Sequence, residues 1–532
     1  MKRLIGQLKS AACIICAAAL CGCSEIPNAP SESAVATAEA LAETAEAAES
    51  GFDEIPAKEY SEDTVDVLMK LNAEGGAFDG SVRTDGEYDG NGYIVLDEGM
   101  TLTHIADLPS SQHYRVVLAV HAYEAAVISL CVQNECAGEY YVPISQGSEY
   151  EFVSVDNLYL AAGPAVLKFV CESGSAAVDY ILIESSDKVS SDAYRISSTA
   201  VSSNSTLAAI GTMKYLSDIY GKNVLIGQNV TPGTNAELDA VLSETGRSPA
   251  IRCGELALIT LDDEDSVSTM QTERELACEW AEKGGLISYT WHWYAPDSKL
   301  TRSGSFDLTA ALEGSSLDEL ALMNGDEIAA LYENGYISED MLYIINSIDA
   351  AAEYLKSISD EDIPIIWQPL PDSDTELYWW GDDVESFVSL WRFMFTRFCS
   401  FHSLGNLIWV YNGSSADFYP GDSYCDIIGQ SIYESSSASF AGRFAALSRL
   451  SDTETKALAI TACDTLPSPD YMLRDNAMWL WFAIASGDSI INTDGSLSEA
   501  YTGWQSLYNA YNSEICITLD ELPDFTEYAF SG

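Results

Sequence analysis

The sequence predicts an α/β protein, a (β/α)8 barrel of the TIM type with an N-terminal β-sandwich domain. Three observations lead there. Strand-like apolar runs alternate with helical patterns over residues 197–527, short period-two runs fill 63–187, and the segment before them has almost no large apolar residue. At 532 residues the chain is too long for one ordinary domain, and an apolar share of 47% is ample for two cores.

The chain opens "MKRLIGQLKSAACIICAAALCGCS". Lys2, Arg3 and Lys9 form a positive leader, and the apolar run behind them is too short to span a membrane. The run ends in Leu20-Cys21-Gly22-Cys23, which resembles the lipobox of bacterial lipoproteins. That resemblance implies a signal over 1–23 with Cys23 lipidated as the mature N-terminus, and localisation as an exported protein lipid-anchored at the bacterial cell surface. A plain secretory signal cut after a small residue is the alternative. Residues 24–62, rich in Ala, Glu and Ser, cannot bury a core and are expected to be a disordered tether.

The chain carries 82 acidic against 25 basic side chains, a net charge of -57. Phosphate backbones and anionic lipid surfaces would be repelled, so no nucleic-acid partner is expected, whereas a neutral polysaccharide meets no such penalty. Of 13 cysteines, four lie in the leader and lipobox, and the remaining nine have no metal-ligand spacing. Cys131 and Cys136 could close a small loop or be two thiols on paired strands.

Residues 63–187 contain "YRVVLAVHAYEAAVISLCV", "GEYYVPI", "AVLKFVCES" and "VDYILIES", alternating runs divided by Gly, Asp and Ser. The stretches "LNAEGGAF", "EYDGNGYIVL" and "AAVDYILIES" resemble motifs of family-35 and family-6 carbohydrate-binding modules. In those modules acidic residues near both ends hold a structural calcium, which implies Glu74 and Asp179 as its ligands here. Asn72 stands where another glutamate is expected. Ordinary surface acids are the alternative.

Eight runs follow: "NVLIGQ", "PAIRCG", "GLISYTWHW", "IPIIWQPL", "NLIWVYN", "CDIIGQSIY", "ALAITACD" and "MWLWFAIAS". In a (β/α)8 barrel functional groups gather at the C-terminal strand ends. Those ends read Gln228, Glu255, Trp291-His292-Trp293, Gln368 to Asp372, Asn412, Tyr433, Ala462 to Asp464 and Ser486 to Asp488. Indoles suit the apolar faces of sugar rings, and amides and carboxylates suit their hydroxyls.

The motifs "LIGQ", "SYTWHW", "PIIWQPLPDSDTELYWWG", "NLIWVYN", "YPGDSYCDIIGQSIY" and "RDNAMWLWFAIASGD" resemble, in order and spacing, the family-26 glycoside hydrolases, mostly endo-β-mannanases. The resemblance implies a substrate cleft of Trp291, His292, Trp293, Gln368, Trp379, Trp380, Tyr433 and Trp481. It also implies two catalytic positions, and both are altered. The acid/base motif Arg-Pro-Leu-His-Glu reads Gln368-Pro369-Leu370-Pro371-Asp372, and the nucleophile after threonine on strand seven reads Ala462. Asp464, two residues on, lies about 6–7 Å further along the strand, too far to substitute.

The expectation is a surface lipoprotein binding β-mannan or a related plant glycan through a mannanase-like barrel that does not cut. An active retaining endo-β-glycanase with an altered carboxylate pair is the alternative, and a solute-binding lipoprotein ranks third because it requires two hinged lobes. No cofactor is expected in the barrel, and a monomer is expected.

Overall fold

The computed structural model describes residues 67–530 and the backbone of 58–60 and 63–65, except 87, 134, 143, 146–149, 301–305, 359–362, 376, 434–437, 452 and 454. The leader, the lipobox with Cys23 and most of the expected tether lie outside the described residues. Lys58–Tyr60 (β1), at the end of that tether, pairs antiparallel with Asp63–Val65 (β2), just beyond it. The rest of the chain divides at Asp187/Lys188 into two compact units.

The first unit is antiparallel. Its strands are Val67–Asn72 (β3), Ala77–Phe78 (β4), Val82–Arg83 (β5), Tyr93–Asp97 (β6), Thr101–Leu108 (β7), Gln112–Val132 (β8), Glu135–Val142 (β9), Glu151–Leu160 (β10) and Gly163–Ser185 (β11). Two long strands organise it. The early half of β11 pairs with β7 and with the late half of β8, which also carries β9. The late half of β11 pairs with β6 and β3 and with the early half of β8, which carries β10. Leu71, Leu118 and Ile181 share one buried core with Leu130, Phe169 and Leu102.

"AVLKFVCES" and "VDYILIES" read as two runs, but both belong to β11, a single strand of 23 residues. Its ladder with β8 shifts register between Cys171 and Tyr180, where the strand passes from β7 to β6 and β3 as its other neighbours. Across the β8–β9 ladder the backbones of Cys131 and Cys136 are partners.

The second unit is a closed parallel barrel of Val224–Asn229 (β12), Ile251–Glu255 (β13), Leu286–Trp291 (β14), Ile365–Pro369 (β15), Leu407–Asn412 (β16), Ile427–Ile432 (β17), Ala457–Cys463 (β18) and Trp481–Ile484 (β19). Each strand pairs with the next and β19 returns to β12. These are the eight runs expected, and closure of the ring leaves no hinge between two lobes. Cys516–Ile517 (β20) adds a short parallel strand beside β12. Strands covered on both faces are apolar throughout, as in "LIWVYN", where all six residues are buried.

Two of the connecting helices carry their own start signals. Asp263 accepts from the Ser266 N–H before Glu264–Glu282, and Asp383 accepts from the Ser386 N–H before Val384–Thr396. No described helix is long and apolar enough to cross a membrane.

Candidate active site

The C-terminal strand ends bring acids, amides and rings together. Glu255 closes β13, and its Oε2 lies 2.5 Å from His292 Nδ1 while its Oε1 accepts the His292 backbone N–H at 3.0 Å. This two-point grip fixes the ring just beyond β14. Burial opposes a charge on His292, but the Glu255 and Asp372 carboxylates outweigh it and raise the imidazole above its usual value.

Asp372 follows β15 in a left-handed turn, at φ 53, that Asp tolerates better than most residues. Its N–H donates to Asn412 O at 2.9 Å. Burial pushes its carboxyl up to about 6, with Asp374 adding to the rise and His292 and a Ser431 hydrogen bond opposing it. Tyr378 and Tyr433 complete the surroundings, and the Tyr378 ring lies 5.3 Å from that of His292.

On the far side, β17 and β18 shift register so that Gln430 faces Ile460 and Ser431 faces Ala462, leaving Thr461 as an extra residue. The Thr461 side chain leans over Gly429, where a Cβ would come within 2.4 Å of its Cγ2. Asn412 Nδ2 donates to Thr461 Oγ1 at 2.8 Å, and Asn229 Nδ2 donates to the Thr461 carbonyl at 3.2 Å. Ala462 itself is half-buried. Asp464, the conceivable substitute carboxylate, accepts from Ser489 Oγ at 2.7 Å and is thereby engaged elsewhere.

The indoles differ from expectation. Trp291, Trp293, Trp380 and Trp481 are 0% exposed and Trp379 is 2% exposed, so in this conformation none presents a face to a sugar. Their surfaces are covered by one another and by their neighbours: Trp291 stacks on Trp293 at 4.3 Å and Trp380 on Tyr378 at 4.5 Å. Trp379 Nε1 donates to Trp293 O and Trp380 Nε1 to Pro371 O, which holds the loops. Trp481 opens β19 opposite Leu225, three residues (about 10 Å) below the strand end. Gln368 is also fully buried, bonded through Nε2 to Ser288 Oγ at 2.6 Å.

The rings left half-buried are His292, Tyr294 and Tyr433. Glu255 was read from the sequence as a strand-end residue but given no role, and Tyr378 and Ser431 were not singled out. Their positions at or just beyond strand ends were the available signal.

In the sandwich Glu74 and Asp179 do come together, with Lys70 beside them. The same unit carries a cavity of about 660 Å³ lined by Arg83, Asp85, Tyr93, Tyr123, Glu124 and Ser175 among others. Tyr150 sits 6.5 Å from Tyr93 and 6.2 Å from His121 there.

Comparison with known proteins follows this geometry. The pattern of glycosyl hydrolase family 26 matches residues 201–510. A mannan endo-1,4-beta-mannosidase of Thermothelomyces thermophilus is 27% identical over 450 residues, 82% of this chain and 86% of that one. Mannan endo-1,4-beta-mannosidase B of Piromyces sp is 25% identical over 475 residues, 85% and 77% respectively. Among solved structures, the Podospora anserina GH26-CBM35 beta-(1,4)-mannanase aligns at TM-score 0.54 with 25% identity, over 86% of this chain and 99% of that one. A ruminal GH26 endo-beta-1,4-mannanase aligns at 0.57 with 22% identity, over 88% and 99%, which bears on the fold alone. With the family pattern covering more than half its length and a closed eight-stranded parallel barrel beneath, this chain belongs to glycosyl hydrolase family 26.

Proposed function

We propose that this protein is a lipid-anchored surface protein that binds β-mannan or a related plant glycan through its barrel and its sandwich without cutting the polymer. The observation that carries the reading is Ala462. A retaining glycosidase works with two carboxyl groups about 5–5.5 Å apart, one protonating the leaving oxygen and one attacking the anomeric carbon. On β18 the position facing Ser431 carries a methyl group, which can neither attack nor stabilise an oxocarbenium-like centre.

What remains suits recognition. Asp372, the Glu255–His292 pair and Tyr433 offer donors and acceptors to sugar hydroxyls beside half-buried rings. The relatives' names point to mannan as the polymer class. In the sandwich, the tyrosine-lined cavity is the candidate second glycan site, consistent with a carbohydrate-binding module. Anchoring through Cys23 rests on the lipobox, and the state proposed is a monomer.

A second reading, an active retaining endo-β-glycanase, is favoured by Asp372. Lifted to about 6, it lies where a general acid operates near neutral pH. Reducing-sugar assays on mannan and xylan beside affinity electrophoresis in the same polymers separate the two. Retarded migration without sugar release supports binding alone, whereas release that disappears in Asp372→Ala supports catalysis.

A further inference from the structure

We propose that in the sandwich the ammonium group of Lys70 takes the place of a metal cation among the carboxylates of Glu74, Asp89 and Asp179, so that this domain keeps its fold without calcium. Lys70 and Asn72 lie two apart on β3, with Leu182 and Tyr180 of β11 as their partners. From there Nζ ion-pairs with Asp89 and sits 3.8 Å from the centroid of the Tyr180 ring. A cation over an aromatic face is itself favourable, and more so when partly desolvated.

The acids around it are tied to one loop. Both oxygens of Asp179 accept the Asp89 N–H at 3.0 Å, and Glu74 Oε1 accepts the Asn91 N–H at 2.7 Å. Between those two donors Gly90 turns at φ +69, and a Cβ there would come within 2.4 Å of Asn72 Nδ2 and 2.5 Å of Glu74 Oε1. The loop is therefore closed down onto the acids. Asp179 is 3% exposed, and Glu74 Oε2 is buried without a hydrogen-bond partner. Such a cluster needs positive charge nearby, because buried carboxylates without it are costly.

The residues do not fit calcium. That ion takes six to eight oxygens at about 2.3–2.6 Å, and it excludes a second cation from the same space. Here three of the four oxygens of Glu74 and Asp179 already accept backbone N–H groups, and Asn72 supplies an amide in place of a carboxylate. Among the described residues no group of three or more His, Cys, Asp or Glu side chains could hold a metal ion. Lys70 meets the electrostatic need from within the chain, with no dependence on ion concentration.

The test uses the full chain, stripped with EDTA and titrated with calcium chloride by isothermal calorimetry, alongside scanning calorimetry. The expected result is no stoichiometric calcium uptake, and an unfolding profile that millimolar calcium and EDTA shift by less than about 1 °C, whereas Lys70→Met lowers one transition by about 4 °C or more. Lys70→Arg, which keeps the charge, should avoid most of that loss. Two results overturn the proposal: calcium uptake by the wild type that Asp179→Asn abolishes, or a Lys70→Met variant that unfolds at the wild-type temperature. Should Lys70→Met fail to fold, the wild-type titration decides alone.

Discussion

Ala462 faces Ser431 across the β17–β18 ladder, and Ser431 lies close enough to Asp372 to favour its ionised form. On our proposal that 372 and 462 are the two carboxyl positions, one serine lies beside both. Ala462→Glu combined with Asp372→Glu should therefore create weak hydrolysis of an activated aryl glycoside, whose leaving group needs little acid help. Polymer cleavage should stay near background, since Gln368 and Pro371 remain and misplacement of about 1 Å can cost about 100-fold. Chromogenic release measures this. A folded, glycan-binding double variant with no release would show that position 462 lies away from the anomeric carbon.

Glu255→Gln should loosen His292. With the carboxylate that raises the imidazole gone, its titration followed by NMR should move down from the wild-type value. Glycan affinity should fall about tenfold, near 1.4 kcal/mol, if the gripped ring contacts the ligand. An unchanged His292 titration would refute the pairing.

Asp372 makes stability depend on pH. Its folded value of about 6 exceeds the ordinary carboxylate value near 4, so its contribution is complete below about pH 4 and is lost as pH rises through about 6. Asp179 and Asp426, also lifted to about 6 by burial, act in the same direction. Urea unfolding from pH 4 to 7 should accordingly show less loss of stability with rising pH in Asp372→Asn than in the wild type. Equal slopes would contradict the assignment.

Trp379 and Tyr433 should separate framework from ligand contact. Trp379→Phe removes the bond to Trp293 O and leaves a buried carbonyl short of a donor, at a cost of about 1–3 kcal/mol in stability. Tyr433→Ala, half-exposed, should weaken glycan binding about tenfold while moving the unfolding midpoint by only about 1–2 °C. The reverse pattern would mean that the indoles open to ligand.

Cys23→Ser should release the protein from the membrane fraction, because the described chain has no spanning helix to retain it. Fractionation followed by immunoblotting reads this directly, and retention of the variant would remove the lipid anchor from the proposal.

The barrel was legible because strands buried on both faces read as unbroken apolar runs, and all eight formed where expected. The site was legible only in outline. Trp291 and Trp379 sit in motifs that read alike whether an indole faces a ligand or its neighbours, and burial is settled by packing between segments distant in sequence. Trp481 entered through the family resemblance alone, and the structure seats it three residues before the strand end at Ile484. The extra residue at Thr461 has no local signature, since the shift depends on what β17 presents across the ladder. Likewise β11 looked like two strands because "SGSAA", residues 173–177, resembles a turn, although the chain continues through it in extended form.

The ladder of β11 with β3 has a kinetic consequence. Leu71, at the beginning of the sandwich, is the partner of Ile181, at its end. A ribosome delivers Leu71 long before Ile181 exists, so the first strand must wait, unpaired, for the last. Loop closure over such a span makes folding slow and all-or-none. Any nascent or translocating form of this domain therefore stays open until nearly its whole length has emerged, and a truncation that removes β11 deprives β3, β6, β7 and β8 of a partner together.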